Sequence, residues 1–175
     1  MQKPELRKIV VIGPESTGKS TLSESLAASL DTVWVPEVAR EYCMNLNRQY
    51  TEEDLLVIAR GQVSLEDEYG SKAKQHLICD TDLYVLKVWS EHKYGRSHPW
   101  ILEQIASRKY DLYLLADIDI EWQDDPLREH ADPGMRRYFF NVYKNIVVES
   151  GVPWVAISGS PEQRLQKALA AVKSL

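Results

Sequence analysis

Residues 9–20 have the sequence IVVIGPESTGKS, a short apolar run followed at once by a glycine-containing loop. Positions 13–20 match the pattern G-x-x-x-x-G-K-[ST] without a mismatch, which average residue usage produces by chance in less than ~1% of chains of this length. The β-branched run predicts a buried parallel strand. Leu22, Leu26 and Leu30 recur every four residues, which predicts a helix with one apolar face. A strand, a phosphate-binding loop and a helix are therefore expected in succession.

This loop is a candidate site for the phosphates of a nucleoside triphosphate. Its glycines let the backbone turn so that successive N–H groups point inward and hold a phosphate, and the following helix presents its positive end to the same anion. Lys19 supplies charge for the β- and γ-phosphates, and the Ser20 hydroxyl is a ligand type that Mg²⁺ accepts. We expect ATP and Mg²⁺ as cofactors. The residues expected to contact the nucleotide are Gly13, Glu15, Ser16, Thr17, Gly18, Lys19, Ser20 and Thr21.

Short apolar runs alternate with helical patterns along the rest of the chain. Strands are expected at 9–12, 33–35, 76–79, 112–115 and 154–157. Helices are expected after the phosphate loop, from 51 towards 70, over 83–92, from 99, over 135–149 and after 162. This alternation predicts an α/β fold, a parallel sheet covered on both faces, in a single domain spanning 1–175.

Composition excludes several classes of protein. The net charge of −5 argues against a surface that neutralises nucleic-acid phosphates. No apolar run approaches the ~18 residues of a membrane-spanning helix, and residues 1–7 lack the apolar core of a signal peptide. Cys43 and Cys79 give neither a disulfide framework nor zinc-binding spacing. We expect a cytoplasmic protein that binds neither nucleic acid nor membrane.

Three kinds of protein carry a loop of this type: a GTPase switch, a mechanical ATPase and a small-molecule kinase. A GTPase usually recognises guanine through an Asn-Lys-x-Asp segment, and the sequence contains none. A mechanical ATPase normally needs a longer chain to couple hydrolysis to motion. A small kinase needs an acceptor pocket, a carboxylate near the acceptor hydroxyl, and an arginine-bearing lid that excludes water.

Charged residues follow the second and third predicted strands, at the edge of the sheet where a ligand binds. Glu37 and Arg40 are suited to holding and activating a hydroxyl group, or else they form a surface ion pair one helical turn apart. Asp80 ends the third strand, where an acid holds Mg²⁺ directly or through water. Asp82 is either a second such acid or the cap of the next helix.

A polar stretch over residues 119–134 is the predicted lid. Arg128 within it is expected to neutralise charge on the transferring phosphoryl group, and the alternative is a solvated loop with ordinary surface charge. Arg136 and Arg137 lie just beyond it, at the start of the next helix. Three aromatic residues are candidates for stacking on a planar ligand ring: Tyr42, Tyr84 and Trp122.

Six motifs occur in an order that matches one known family. They are the loop at 13–20, Glu37-x-x-Arg40-x-Tyr42, Ile58-Ala59-x-Gly61-Gln62, Asp80-Thr81-Asp82, Lys93-Tyr94-Gly95-Arg96-x-His98-Pro99 and Trp122-x-x-Asp125-x-x-Arg128. The loop is common to many families, whereas the Asp-Thr-Asp and Tyr-Gly-Arg-x-His-Pro blocks discriminate among them. From Lys8 to about Leu169, the chain resembles the ribosylnicotinamide kinase domain of NadR-type proteins.

The resemblance implies a P-loop kinase fold, with a five-stranded parallel sheet and a lid after the fourth strand. It implies ATP-dependent phosphorylation of nicotinamide riboside to nicotinamide mononucleotide, in NAD salvage. NadR-type proteins usually carry further domains ahead of this one, so a loop starting at Gly13 leads us to expect a stand-alone kinase domain. The alternatives are a kinase for another nucleoside or mononucleotide, and an ATP-binding regulatory module without turnover.

Together these arguments assign a role to each candidate residue. The expected catalytic residues are Lys19, Glu37, Asp80 and Arg128, and the expected Mg²⁺ ligands are Ser20 and Asp80. The residues expected to contact the nucleoside are Glu37, Arg40, Tyr42, Asp82, Tyr84 and Trp122. The general base is one of Glu37, Asp80 and Asp82.

Overall fold

Five parallel strands form the central sheet of the structure, a computed structural model that describes residues 5–175. The strands are β1 (Arg7–Ile12), β2 (Trp34–Val35), β3 (His76–Asp80), β4 (Leu112–Ala116) and β5 (Trp154–Ile157). They pair in the order β2-β3-β1-β4-β5, with Val11 of β1 in register with Asp80 and Leu114. Residues 1–4 lie outside the described residues. The predicted absence of a signal peptide and the first residues of the predicted 1–175 domain fall partly on them.

Seven helices connect and cover these strands within the described residues. They are α1 (Lys19–Ser29), α2 (Val38–Met44), α3 (Glu52–Lys72), α4 (Leu83–Tyr94), α5 (Pro99–Ser107), α6 (Pro133–Glu149) and α7 (Pro161–Lys173). Thr51 and Asp54 form a capping box at the start of α3, and proline occupies the first turn of α5, α6 and α7, where its missing N–H is not needed. The predicted helix over 83–92 runs on to Tyr94, where Gly95 ends it in a left-handed conformation.

The alternation of side chains along β1 divides the core between the two faces of the sheet. Val10 and Ile12 pack in a cluster with Phe139 of α6, whereas Ile9 and Val11 pack on the other face in a cluster that includes residues of α1 and α7. These four residues of β1 are fully buried, as a strand covered on both faces requires. The predicted fold class, a parallel sheet with helices on both faces, is confirmed.

The described segment 117–132, between β4 and α6, contains neither helix nor strand. The segment follows the fourth strand, where the lid was predicted over residues 119–134. It ends before residue 134, because Asp132 caps α6 by accepting a hydrogen bond from the Met135 N–H. We call residues 117–132 the lid. No helix in the described part of the chain is long and apolar enough to cross a membrane.

Candidate active site

The phosphate loop lies between β1 and α1, as predicted from its pattern. Gly13 has φ +151°, and a Cβ there would lie 2.8 Å from the carbonyl oxygen of Ala116, so a side chain is excluded by the close approach of β4. Gly18 adopts a left-handed conformation just before α1 begins, which turns the first N–H groups of the helix towards the loop. The Thr17 hydroxyl donates to the Pro14 carbonyl at 2.8 Å and closes the turn. This backbone geometry is suited to holding a phosphate group.

Lys19 extends across this loop. Its Nζ donates to the carbonyl oxygen of Pro14 at 2.7 Å, which holds the ammonium group over the concave side of the loop. Lys19 and the two residues on either side of it line the same cleft. The position fits the predicted contact with the β- and γ-phosphates.

Ser20 and Asp80 meet at the end of the loop. The Ser20 hydroxyl donates to Asp80 Oδ2 at 2.5 Å, while Asp80 Oδ1 is buried without a hydrogen-bond partner among residues 5–175. Burial raises the pKa of the Asp80 carboxyl, and the charge of Lys19 opposes the rise. A buried carboxylate oxygen lacking a partner beside a hydroxyl fits Mg²⁺, which prefers oxygen ligands and often takes only one or two from the protein.

No cluster of three or more His, Cys, Asp or Glu side chains within residues 5–175 is arranged to hold a metal. The donor set at this point is therefore one carboxylate and one hydroxyl. Such a set suits an ion that takes its remaining ligands from substrate phosphates and water.

Glu37 lies at the turn between β2 and α2, and Gln62 of α3 fixes that turn. The Gln62 side chain accepts from the Val38 N–H at 2.9 Å and donates to the Pro36 carbonyl at 3.2 Å. Burial raises the pKa of the Glu37 carboxyl, with a further contribution from Asp80 and opposition from Lys19. A carboxylate with a raised pKa in a cleft is suited to act as a general base. Gln62 belongs to a family motif, but sequence reasoning gave it no role.

A cleft of about 810 Å³ joins the phosphate loop to Glu37 and to residues 126–130 of the lid. This volume lies within the range of small-molecule sites. Aromatic and basic side chains to which sequence reasoning gave no role in the site also line this cleft, although Lys93 belongs to a family motif: Tyr50, Trp89, His92, Lys93, Phe139 and Tyr143. The rings of Tyr50 and Trp89 stack with their centroids 6.0 Å apart, and Lys93 Nζ lies 3.8 Å from the Tyr50 centroid.

Two arginines connect the lid and α6 to the phosphate loop. Arg128 Nη1 donates to the Gln123 carbonyl at 2.6 Å and to Ser16 Oγ at 3.3 Å. Arg136 Nη2 donates to the Ser16 carbonyl at 3.2 Å and to the Ile120 carbonyl at 3.0 Å. Both side chains line the cleft. Sequence reasoning favoured Arg128, yet Arg136 is the more buried of the two. Arg137 is exposed and lies over the Phe140 ring.

Arg164 of α7 is a further residue that sequence reasoning missed. Its buried guanidinium donates to the carbonyls of Thr17 and Gly159, both at 3.0 Å, and of Asp117 at 3.2 Å, and it pairs with the Asp119 carboxylate. One side chain therefore ties the phosphate loop to the start of the lid and to the turn before α7. Nothing in the local sequence distinguishes it from a surface arginine of an amphipathic helix.

Arg40 lines the cleft, as predicted. Among the described residues its ion-pair partner is Asp125 of the lid, at 2.5 Å, rather than Glu37 one turn earlier. The alternative of a surface ion pair between Glu37 and Arg40 is therefore wrong. The guanidinium instead connects α2 to the lid across the mouth of the cleft.

Asp82 and Tyr84, two predicted nucleoside contacts, lie away from the cleft formed by the described residues. Asp82 caps α4, because its Oδ1 accepts a hydrogen bond from the Tyr84 N–H at 2.9 Å. Its Oδ2 accepts another from the Tyr113 hydroxyl at 2.7 Å. Burial raises its pKa to about 7. The Tyr84 ring packs edge-on against Tyr113, at 6.5 Å. The capping alternative for Asp82 is the observed one, since α4 begins at the very next residue.

Tyr42 and Trp122 also do not line the cleft as the described residues form it. Tyr42 comes two residues after Arg40 on α2, about 200° around the helix, and its hydroxyl donates to Asp54 Oδ1 at 2.7 Å. Trp122 lies 5.8 Å from the Arg136 guanidinium and donates to Asp124. The stacking of either residue on a ligand ring stays a prediction.

Comparison with known proteins gives a match over most of the chain. A family model described as an AAA domain matches residues 8–164. The chain belongs to the AAA domain family. A curated relative is the trifunctional NAD biosynthesis/regulator protein NadR of Salmonella typhimurium, 26% identical over 159 residues. The match covers 87% of this chain but 38% of the relative, so this AAA domain spans less than half the length of that protein.

Two solved structures share the fold of this AAA domain. A crystal structure of NadR protein in complex with NR has a TM-score of 0.76 and 24% identity, covering 96% of this chain and 51% of the other. Thymidylate kinase from Ehrlichia chaffeensis has a TM-score of 0.65 and 15% identity, covering 97% and 100%. The resemblance to NadR-type proteins and the P-loop kinase fold, both predicted from the sequence, are confirmed.

Proposed function

We propose that this chain is an ATP-dependent kinase that transfers a phosphoryl group to a ribose hydroxyl of nicotinamide riboside, giving nicotinamide mononucleotide. The observation that carries the proposal is a single cleft that contains the phosphate loop, the Glu37 carboxylate, a lid arginine and an aromatic wall formed by Tyr50 and Trp89. The similarity to NadR supports the choice of acceptor.

The phosphate loop and two arginines supply the electrostatic part of the reaction. Inward-facing N–H groups and Lys19 hold the β- and γ-phosphates. Arg128 and Arg136 both donate hydrogen bonds to Ser16 of the loop, so their positive charges stabilise the negative charge of the transferring phosphoryl group. Ser20 and Asp80 would hold Mg²⁺, which neutralises phosphate charge when bound.

Glu37 is the proposed general base. Its carboxylate accepts a hydrogen bond from the acceptor hydroxyl and takes the proton as the new O–P bond forms and the bond to the leaving ADP breaks. Its raised pKa brings its basicity closer to the working pH than that of an ordinary carboxylate. Gln62 keeps the turn that carries this side chain in place.

The aromatic wall is the proposed contact for the nicotinamide ring. Lys93 covers one face of Tyr50 and its Nζ also donates to the Tyr50 carbonyl at 3.2 Å, so this ring is held in place. Trp89 stacks beside it and is the ring we expect to face the ligand. A cationic pyridinium against an aromatic face gains about 0.5–2 kcal/mol, which a neutral uracil does not.

An ADP-release assay over a panel of acceptors tests the proposal. With Mg·ATP we expect nicotinamide riboside to give the highest kcat/KM among nicotinamide riboside, uridine, a deoxynucleoside and a nucleoside monophosphate. Lys19→Ala, with an unchanged circular-dichroism spectrum, should abolish turnover and so exclude a contaminating kinase. A higher kcat/KM for another acceptor would make that acceptor the substrate, and ATP binding without turnover on any acceptor would favour a regulatory module.

A further inference from the structure

Glu15 of the phosphate loop contacts the lid rather than the interior of its own loop. Its Oε2 accepts hydrogen bonds from the backbone N–H groups of Glu129 at 3.1 Å and His130 at 3.2 Å. Two N–H donors on one carboxylate oxygen form charge-assisted hydrogen bonds, which are about twice as strong as neutral ones. These bonds join positions 114 and 115 residues apart in the chain.

Ser16, the next residue, holds an earlier part of the lid. It has φ +56°, a left-handed conformation that is uncommon for a residue other than glycine. Its Oγ accepts from the Gln123 N–H at 3.0 Å and from Arg128 Nη1 at 3.3 Å. The two loop residues therefore hold the lid on both sides of Arg128.

The charge of Glu15 argues for a role other than direct nucleotide contact. An anionic side chain in a phosphate-binding loop repels a triphosphate, so it opposes the binding that the rest of the loop promotes. The hydrogen bonds to the lid give the Glu15 carboxylate a structural role that explains its presence despite this repulsion. On the far side of the cleft, the ion pair between Arg40 and Asp125 holds the same lid to α2.

We propose that Glu15 is a positioning residue that fastens the lid to the phosphate loop and thereby sets the guanidinium of Arg128 for phosphoryl transfer. The effect on catalysis rests on the proposed kinase function, whereas the effect on the lid does not. Because Glu15 binds backbone N–H groups, it acts on the path of the lid chain and, through that path, on the position of Arg128.

Hydrogen–deuterium exchange of the 175-residue chain without ligand tests the contact without any substrate. Glu15→Ala removes the acceptor for two N–H groups, so peptides covering 127–132 should exchange faster than in the wild type. Glu15→Gln keeps an amide oxygen in place and should give a smaller increase. Glu121→Ala removes an exposed acid of the same lid and should leave these peptides unchanged. Equal exchange in Glu15→Ala and the wild type overturns the proposal.

A double-mutant cycle with Arg128→Ala tests the consequence for catalysis. Glu15→Ala should lower kcat roughly 10-fold in the wild-type background, and less than about 2-fold once Arg128 is already absent, because the two residues act through one element. Equal fold losses in both backgrounds overturn the proposal. If no acceptor supports turnover, the proposed function has failed, and the exchange result decides on Glu15 by itself.

Discussion

Replacing Glu37 by glutamine removes the proposed base while keeping the size of the side chain. In the folded protein, burial raises the pKa of Glu37 from its usual 4.5 to about 7. The ionised form is the one that accepts a proton, so wild-type kcat/KM should rise with pH and level off above about pH 7. Glutamine has no ionisable group, so the variant should lose this limb of the profile.

The size of the effect follows from the same arrangement. One pH unit below the pKa only about a tenth of the carboxyl groups are ionised, so wild-type activity at pH 6 should be about 10-fold below its plateau. A positioned general base contributes about 10²- to 10⁴-fold. Glu37→Gln should therefore lower kcat on the plateau at least about 100-fold, and the deficit should shrink at pH 6.

Steady-state ADP release from pH 5.5 to 8.5, at saturating Mg·ATP, provides the measurement. Glu41→Gln is the matched control, since Glu41 is an exposed glutamate on α2, and it should retain the wild-type profile. ATP affinity of Glu37→Gln, measured by calorimetry, should stay near the wild-type value. A loss of activity smaller than about 10-fold, or an unchanged acid limb in the glutamine variant, would refute the assignment of Glu37 as the base.

Three further substitutions test separate parts of the account. Asp80→Asn should lower the rate and raise the Mg²⁺ concentration for half-maximal activity. An unchanged Mg²⁺ titration would show that Asp80 is not the metal ligand. Arg128→Ala should reduce kcat far more than ATP affinity, because its charge acts mainly in the transition state, and equal losses would make it a ground-state contact. The raised pKa of buried Asp82 stabilises the folded state at low pH, and this contribution is lost as pH rises from about 4 to about 7. Relative to the wild type, Asp82→Asn should therefore gain about 2 kcal/mol of unfolding free energy between pH 5 and pH 7, measured by urea titration; a constant difference would show that Asp82 does not titrate in this range.

Local patterns predicted the sheet and the phosphate loop. The β-branched run at 9–12, the leucine spacing of α1 and the loop match each depend on residues close together in the chain, and their structures agree with expectation. The sequence left two roles open for Asp82, a second acid that holds Mg²⁺ and the cap of the next helix, because an aspartate before an apolar helix is a typical cap. The structure shows the cap through the Tyr84 N–H and adds a hydrogen bond from Tyr113, a residue more than 30 positions away, that the sequence did not predict.

Contacts between distant segments account for what the sequence did not predict. The pairing of Arg40 with Asp125 and of Glu15 with the lid joins positions 85 or more residues apart, and neither has a periodic signal. The aromatic wall combines Tyr50, from the connection before α3, with Trp89 of α4. The nearby Lys93 to Pro99 motif was the one sequence signal that pointed to this end of α4.

Direct competition between two acceptors tests the central claim most directly. The protein is incubated with Mg·ATP and equal concentrations of nicotinamide riboside and uridine, and both monophosphates are quantified by liquid chromatography and mass spectrometry during the first few per cent of conversion. Under these conditions the product ratio equals the ratio of the two kcat/KM values. We predict that nicotinamide mononucleotide predominates by about 2- to 30-fold, the ratio that corresponds to a cation–π gain of about 0.5–2 kcal/mol on the aromatic wall. Uridine monophosphate in equal or greater amount would contradict the claim.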